Sequence, residues 1–405
     1  MTLIKAPLRT AIIVAGAMLP ATAPAQTFTT LYSFQGGTKD GANPLSLIDQ
    51  SGKLYGTTSF NSTKSVVFEL SLGSGKEKVL AKFGQDSVGN YILPNTPTFY
   101  NGLLYGSTQL GGNPGCSPSS CGTVFTLDPS SSTLTVLYDF PTGGTSDAAH
   151  PDTALVLAND LFYGVAGGGQ YGVGTIYSID PTTGSEAVVA TFGGPFSPHF
   201  PGNNLIYANG LLYAVAGSGG NSGCYKNQGC GAIVSIDPTT GAKTAVYTFP
   251  GGAKGQYPGY LTYAGGKLYG TAEGSGATAN GLAFEITLST GKYKQLFAFP
   301  GGADGADPLA ALIYQGGALY GITQFGGDTA DCPGVTPGCG VIFKLTSGDS
   351  SGPAKKVYTE TVLYTFTNGS DGSIPEDLIF QGGTFYGVAA RGGSTGYGTV
   401  FSFTP

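Results

Sequence analysis

The chain has 405 residues, of which only 10% are charged, and its 18 basic against 24 acidic side chains leave a formal net charge of −6. A field of that sign repels a phosphate backbone, so nucleic acid is excluded as a partner. With 69 glycines and 12% aromatic residues, the composition also excludes a disordered chain, which is charge-rich and aromatic-poor, and a helical one; all-β with many tight turns remains.

Residues 1–25 differ in kind from the rest. Lys5 and Arg9 precede the apolar stretch Ala11–Ala21, and Ala23-Pro24-Ala25 offers the small residues that a signal peptidase reads. A signal peptide over 1–25 is therefore expected, with a mature chain over 26–405 forming one domain. Removing Lys5 and Arg9 leaves 16 basic against 24 acidic residues, a mature net charge of −8. No later stretch reaches the ~20 apolar residues of a membrane helix, so no membrane span is expected in the mature chain.

From Gln26 onward the chain repeats. Leu-Tyr-Gly or a close variant recurs with its tyrosine at Tyr55, Tyr105, Tyr163, Tyr213, Tyr269, Tyr320 and Tyr386, seven copies at intervals of 50, 58, 50, 56, 51 and 66 residues. Each copy reads as four strands. The first follows a proline, as at Pro44, Pro201, Pro308 and Pro375, and its near-continuous apolar run predicts an innermost strand buried on both faces. A turn such as Asn101-Gly102, Asn209-Gly210 or Gly316-Gly317 follows, suited to the positive φ of a tight hairpin. The Leu-Tyr-Gly segment is the second strand, and Val124-Phe125, Ile176-Tyr177, Ile342-Phe343 and Val400-Phe401 mark the third. Turns such as Asp180-Pro181-Thr182-Thr183-Gly184 lead to a fourth strand with alternating aromatics, as at Tyr138 and Phe140. The insertion Ser347–Lys356 reads as a solvated excursion.

Four antiparallel strands repeated about every 50 residues predict a β-propeller of four-stranded blades. The two ends of the chain set the blade count. The seventh copy stops at its third strand, Phe401–Pro405, while Thr29-Thr30-Leu31-Tyr32-Ser33-Phe34 matches the fourth-strand segment Thr361–Phe366 nearly residue for residue. Seven blades follow, closed by the N-terminal strand, because closure removes exposed sheet edges.

The recurrent Leu-Tyr-Gly, Gly-Gly and Gly-Thr-Val-Phe elements resemble the GloVer tandem repeat of exported bacterial proteins, whose members carry varied C-terminal anchors. The likeness extends over the mature chain and implies an exported repeat protein of unassigned molecular function, in the periplasm or outside the cell. Kelch and WD repeats rely on tryptophan, which this chain lacks.

Blade connectivity sends the loops after strands two and four to one face, the face with the long, variable loops on which function is expected. Six cysteines fall in three local pairs there, Cys116 with Cys121, Cys224 with Cys230, and Cys332 with Cys339. Two histidines cannot complete zinc sites, so disulfides that shape loops are expected, with no metal and no cofactor. His150 and His199 precede the strand-one prolines of adjacent copies and are candidates for acid–base work. Three residues beyond the glycine of Leu-Tyr-Gly stand Gln109, Glu273 and Gln324, with Arg391, the only arginine after residue 25, next in the last copy. An acid, amides and a guanidinium around one mouth suit an acidic sugar or a carboxylate. The reading these residues support is a monomeric, non-enzymatic scaffold binding a glycan or an envelope protein. The alternative is a polysaccharide lyase or hydrolase using Arg391, Glu273 and His150 or His199.

Overall fold

The computed structural model describes residues 26–37, 40–59, 64–87, 89–114, 116, 120–141, 148–168, 174–193, 199–220, 223–224, 229–273, 279–327, 332, 337–348 and 358–405. The expected signal peptide and all of the Ser347–Lys356 insertion except Ser347 and Gly348 lie outside them. Within the described residues, seven four-stranded antiparallel sheets follow one another along the chain as blades. Blade one comprises Ala42–Gln50, Lys53–Ser59, Ser65–Ser71 and Lys76–Phe83. Blade seven comprises Ser373–Gln381, Thr384–Arg391 and Thr399–Thr404, and its outer strand is Thr27–Ser33 from the other end of the chain. That strand runs antiparallel to Thr399–Thr404, with Thr27 opposite Thr404 and Tyr32 opposite Val400.

One prediction about the strands is corrected. The first strands are innermost, but they are not the most buried; Tyr314, in the first strand of blade six, is 43% exposed. The third strands hold that position, with Thr175–Ile179 and Ala232–Ile236 buried throughout. A third strand lies mid-sheet with a blade packed on each face, whereas a first strand turns one side to the central channel and forms the inner sheet edge. In blades two, three and six that strand shortens to three residues, Thr98–Tyr100, Val156–Ala158 and Ile313–Gln315.

The apolar core is divided among the blade interfaces rather than gathered at one centre. One cluster joins Phe34, Leu47, Val66 and Phe68 to Val388 and Val400, so blades seven and one are packed like any other neighbours. The recurrent aromatics explain this packing. On five of the seven fourth strands a tyrosine or phenylalanine meets the next phenylalanine edge-on, as Tyr138 meets Phe140 at 5.0 Å and Tyr32 meets Phe34 at 5.2 Å, while blades one and three carry Ala81 and Ala190 instead. That second ring then packs on the third-strand ring of the following blade, Phe140 on Tyr177 at 5.2 Å and Phe34 on Phe68 at 5.1 Å. A bulge at each junction of third and fourth strands sets this alternation: Val124 faces Tyr138 and Phe125 faces Val136, leaving Leu137 as the extra residue.

In five blades the proline at or just before the first strand, Pro44, Pro151, Pro258, Pro308 or Pro375, packs against a glycine of the preceding blade. Gly340 has φ +92° and a Cβ there would lie 2.6 Å from Pro375 Cδ; at the ring closure Gly398 stands in the same relation to Pro44, at φ +98° and 2.5 Å. Only glycine tolerates both the backbone angle and the approach.

Candidate functional site

The first strands begin at the face that carries the long loops, and their opening residues surround the axis. There they enclose a cavity of about 330 Å³ to which all seven blades contribute, among them Ser46, Thr96, Asp152, Asn204, Tyr260, Ala311 and Asp377. The lining differs from blade to blade, unlike the repeated tyrosines, glycines and rings of the interfaces.

Two of these residues clamp neighbouring blades. Asn204 Nδ2 donates to the Leu261 carbonyl at 2.8 Å and its Oδ1 accepts from the Leu261 N–H at 2.9 Å. Asp377 occupies the equivalent position in blade seven, where its Oδ2 accepts from the Leu47 N–H at 2.9 Å across the ring closure and its Oδ1 from the Leu378 N–H at 2.8 Å. Burial raises its carboxyl to about 6 in spite of those two donors.

The glutamines picked out at the ends of the second strands each reach an acid of the next blade. Gln109 Nε2 donates to Asp152 Oδ1 at 3.3 Å, and Gln324 Nε2 to Glu376 Oε2 at 2.8 Å. Burial pushes Glu376 up to about 7; the Gln324 hydrogen bond opposes the rise, Asp377 adds to it and Arg391 opposes it. Burial likewise raises Asp152. Glu273 is raised by burial and by the charge of Asp307, an acid in the loop leading to the first strand of blade six. The Tyr260 phenol is raised first by its burial and then by the charges of Asp377, Glu376, Glu273 and Asp152.

Arg391 is exposed at the end of its strand, opposite Ser373, and its field reaches Glu376. Among the described residues its guanidinium closes no ion pair; the two salt bridges there are Lys53 with Glu69 and Lys267 with Glu285. His150 adopts φ +57° just before Pro151, and its Nδ1 lies 3.2 Å from the Gln109 carbonyl oxygen. It is thereby attached to the Gln109–Asp152 side of the mouth and not to Glu273 or Arg391. His199 pairs through its backbone with Ser218, and its side chain lies outside the description. Each cysteine pair is a disulfide, with Cα separations of 5.2 Å for Cys116–Cys121, 5.2 Å for Cys224–Cys230 and 5.7 Å for Cys332–Cys339. All three lie in loops between second and third strands, in blades two, four and six.

Sequence reasoning found the outer residues of this mouth and missed the inner ones: Asp152, Tyr260, Glu376 and Asp377. A signal was present. The first two residues after each strand-one proline vary between copies, as in Pro151-Asp152, Pro258-Gly259-Tyr260 and Pro375-Glu376-Asp377, on a strand otherwise read as packing.

Fold and mouth together define a seven-bladed β-propeller built from tandem repeats and stapled by loop disulfides. The chain belongs to the Gloeobacter/Verrucomicrobia repeat family, whose model matches residues 15–227. No curated protein matches it. Among solved structures it is similar to the extracellular domain of a protein provisionally described as a one-component system from B. thetaiotaomicron, at 13% identity and a TM-score of 0.54 over 93% of this chain. The similarity spans 40% of that protein's length. It is also similar to a protein provisionally described as a 6-phosphogluconolactonase from Bacteroides fragilis, at 14% identity and a TM-score of 0.50, covering 86% of this chain and 89% of that one. At such identities the likeness is one of fold.

Proposed function

We propose that the protein is an exported, monomeric binding scaffold that takes its ligand, a glycan, at the loop-rich mouth of the axial channel, with an envelope protein as the other partner class. The observation that carries this reading is the cavity of about 330 Å³, whose polar lining changes from blade to blade while most of the packing residues repeat. Gln109, Glu273, Gln324 and Arg391 are its rim, with Gln109 and Gln324 already orienting the carboxylates of Asp152 and Glu376. The Arg391 guanidinium, which closes no ion pair among the described residues, offers the bidentate donor that a sugar acid or a glycan terminus accepts. Three disulfides support a signal peptide over 1–25 and a periplasmic or secreted location, since such bonds persist in oxidising compartments.

The lyase or hydrolase alternative needs a base and a charge-stabilising group converging on one reacting atom. His150 bonds to the Gln109 carbonyl instead, which weighs for binding over catalysis. A glycan-array screen of residues 26–405 tests the proposal. Binding to a defined glycan class is expected, and Arg391→Ala is expected to weaken it about tenfold, the loss of roughly 1.4 kcal/mol from one charge-assisted contact. An array with no signal at any glycan overturns the glycan reading.

A further inference from the structure

Among the described residues the cavity lining carries three carboxylates, those of Asp152, Glu376 and Asp377, and no lysine, arginine or histidine. Asp377 has both oxygens committed to backbone donors. Among the described residues Asp152 and Glu376 each have one oxygen held by a glutamine from the preceding blade and make no further side-chain hydrogen bond with the other. Tyr260 lines the same cavity; its phenol makes no hydrogen bond among the described residues and feels the charges of Asp377, Glu376, Glu273 and Asp152. Asp152 is solvent-exposed and Glu376 and Asp377 are half-buried, so the acidic lining, relieved only by the field of Arg391 at the rim, favours a cation that enters from solvent. Its volume sits at the low end of the roughly 300–1,000 Å³ typical of small-molecule sites, larger than a bare metal ion requires and small for a polymer. Hydroxyls at Ser46, Thr57 and Thr153 line the same space, so a ligand that is both cationic and hydroxylated meets every group present.

We propose that the axial cavity binds the protonated amine of a small hydroxylated amine, an amino sugar, with the ammonium between Asp152 and Glu376 and the sugar ring against Tyr260. This rests on the glycan-binding reading above and names the part of the glycan that enters the channel. Gln109 and Gln324 act as positioning residues, each turning one carboxylate oxygen toward the axis. The groups facing Glu376 are Gln324, Asp377, Tyr260 and, at the rim, Arg391. A cation arriving beside a carboxyl that titrates near neutrality lowers its pKa, so binding releases a proton around pH 7, and affinity falls toward pH 5.5 as the carboxyl protonates.

Isothermal titration of residues 26–405 with glucosamine, N-acetylglucosamine and glucose, in two buffers of different ionisation enthalpy, tests the inference. Glucosamine is expected to bind at least tenfold more tightly than either neutral sugar, with net proton release at pH 7. Glu376→Gln is expected to weaken glucosamine at least tenfold and remove the proton release, and Asp152→Asn to weaken it comparably. Thermal unfolding of both variants reports whether the ring stays intact. Neutral sugars binding as tightly as glucosamine overturn the amine while leaving a glycan site. Glucosamine failing to bind while the array still reports a glycan places the site outside the cavity and overturns this inference alone. Calcium binding without glucosamine binding overturns it in favour of a metal, and silence in both experiments removes the glycan reading as well.

Discussion

Gly106 has an ordinary backbone angle, so its lack of a side chain answers to space: a Cβ there would lie 2.9 Å from both Cε atoms of Phe125, the residue opposite it, with Cζ closer still. The same pairing recurs as Gly270 with Phe284, Gly321 with Phe343 and Gly387 with Phe401. Blade four breaks both halves of the rule together, placing Ala214 opposite Val234. The ring and the missing methyl are therefore one packing unit. Gly106→Ala is expected to cost about 1–3 kcal/mol by overpacking, read as a lowered denaturant midpoint, and Phe125→Val in the same chain should recover part of it despite its own cavity cost. Val234→Phe in blade four should be destabilising alone and improved by Ala214→Gly. Additive losses in either pair, with no recovery, contradict the unit. Leu-Tyr-Gly was legible in the sequence as a repeat; the reason for its glycine was not, because the ring it accommodates lies about 20 residues further along the chain.

At the level of the element, the N-terminal strand has the most to lose. Phe28 stacks on Tyr364 of blade six at 4.0 Å and on Phe401 of blade seven at 5.1 Å, and Phe34, just beyond the strand, is wholly buried against Phe68 of blade one. Deleting residues 26–34 removes several apolar side chains, each worth about 1.5–3 kcal/mol when fully buried, and exposes the edge of Thr399–Thr404 to pairing with other chains. A lowered melting temperature and higher-order species on size-exclusion chromatography are expected. Because Thr27 lies opposite Thr404, moving the segment behind Pro405 through a short turn should restore the elution volume and near-native melting of the 26–405 chain. A permutant no better than the deletion contradicts its role as the outer strand. This pairing was readable from sequence, since the segment repeats a fourth strand and the last copy lacks one. The half-exposed first strands were misread, because an apolar run looks the same whether its second side meets a blade or a channel.

Across the whole molecule, among the described residues, Asp49, Asp152, Glu273 and Asp307 are held above the ordinary carboxyl range, and four further half-buried carboxyls are raised furthest. Burial raises Glu77, Glu360 and Glu376 to about 7 and Asp377 to about 6; the charge of Asp40 adds to the rise at Glu77 and that of Asp304 to the rise at Glu360. In the unfolded chain these groups titrate near pH 4, so between about pH 4 and 7 the folded state binds more protons. The stability they contribute is present below the unfolded pKa and is lost as pH rises through 6 to 7. The melting temperature is therefore expected to be a few degrees higher at pH 5.5 than at pH 8, with the difference reduced in Glu376→Gln. A melting temperature that climbs steadily from pH 5.5 to 8 contradicts this. Asp128, Asp180 and Asp237 are held below their ordinary values by neighbouring hydroxyl and backbone donors, and they act in the opposite direction only at lower pH.

The sequence by itself determined the blade count, the order of strands within each blade and the N-terminal strand's place in the last one, because all three are written in local spacing and repetition. It also marked Gln109, Gln324, Glu273 and Arg391 as positions where blades differ. Only the tertiary structure decided that Asp152, Tyr260, Glu376 and Asp377 share one space, and that the Asp377 carboxylate holds a backbone N–H 330 residues away. Those residues become neighbours when the ring closes, and the burial that shifts their protonation belongs to the assembled channel and to no single segment of chain.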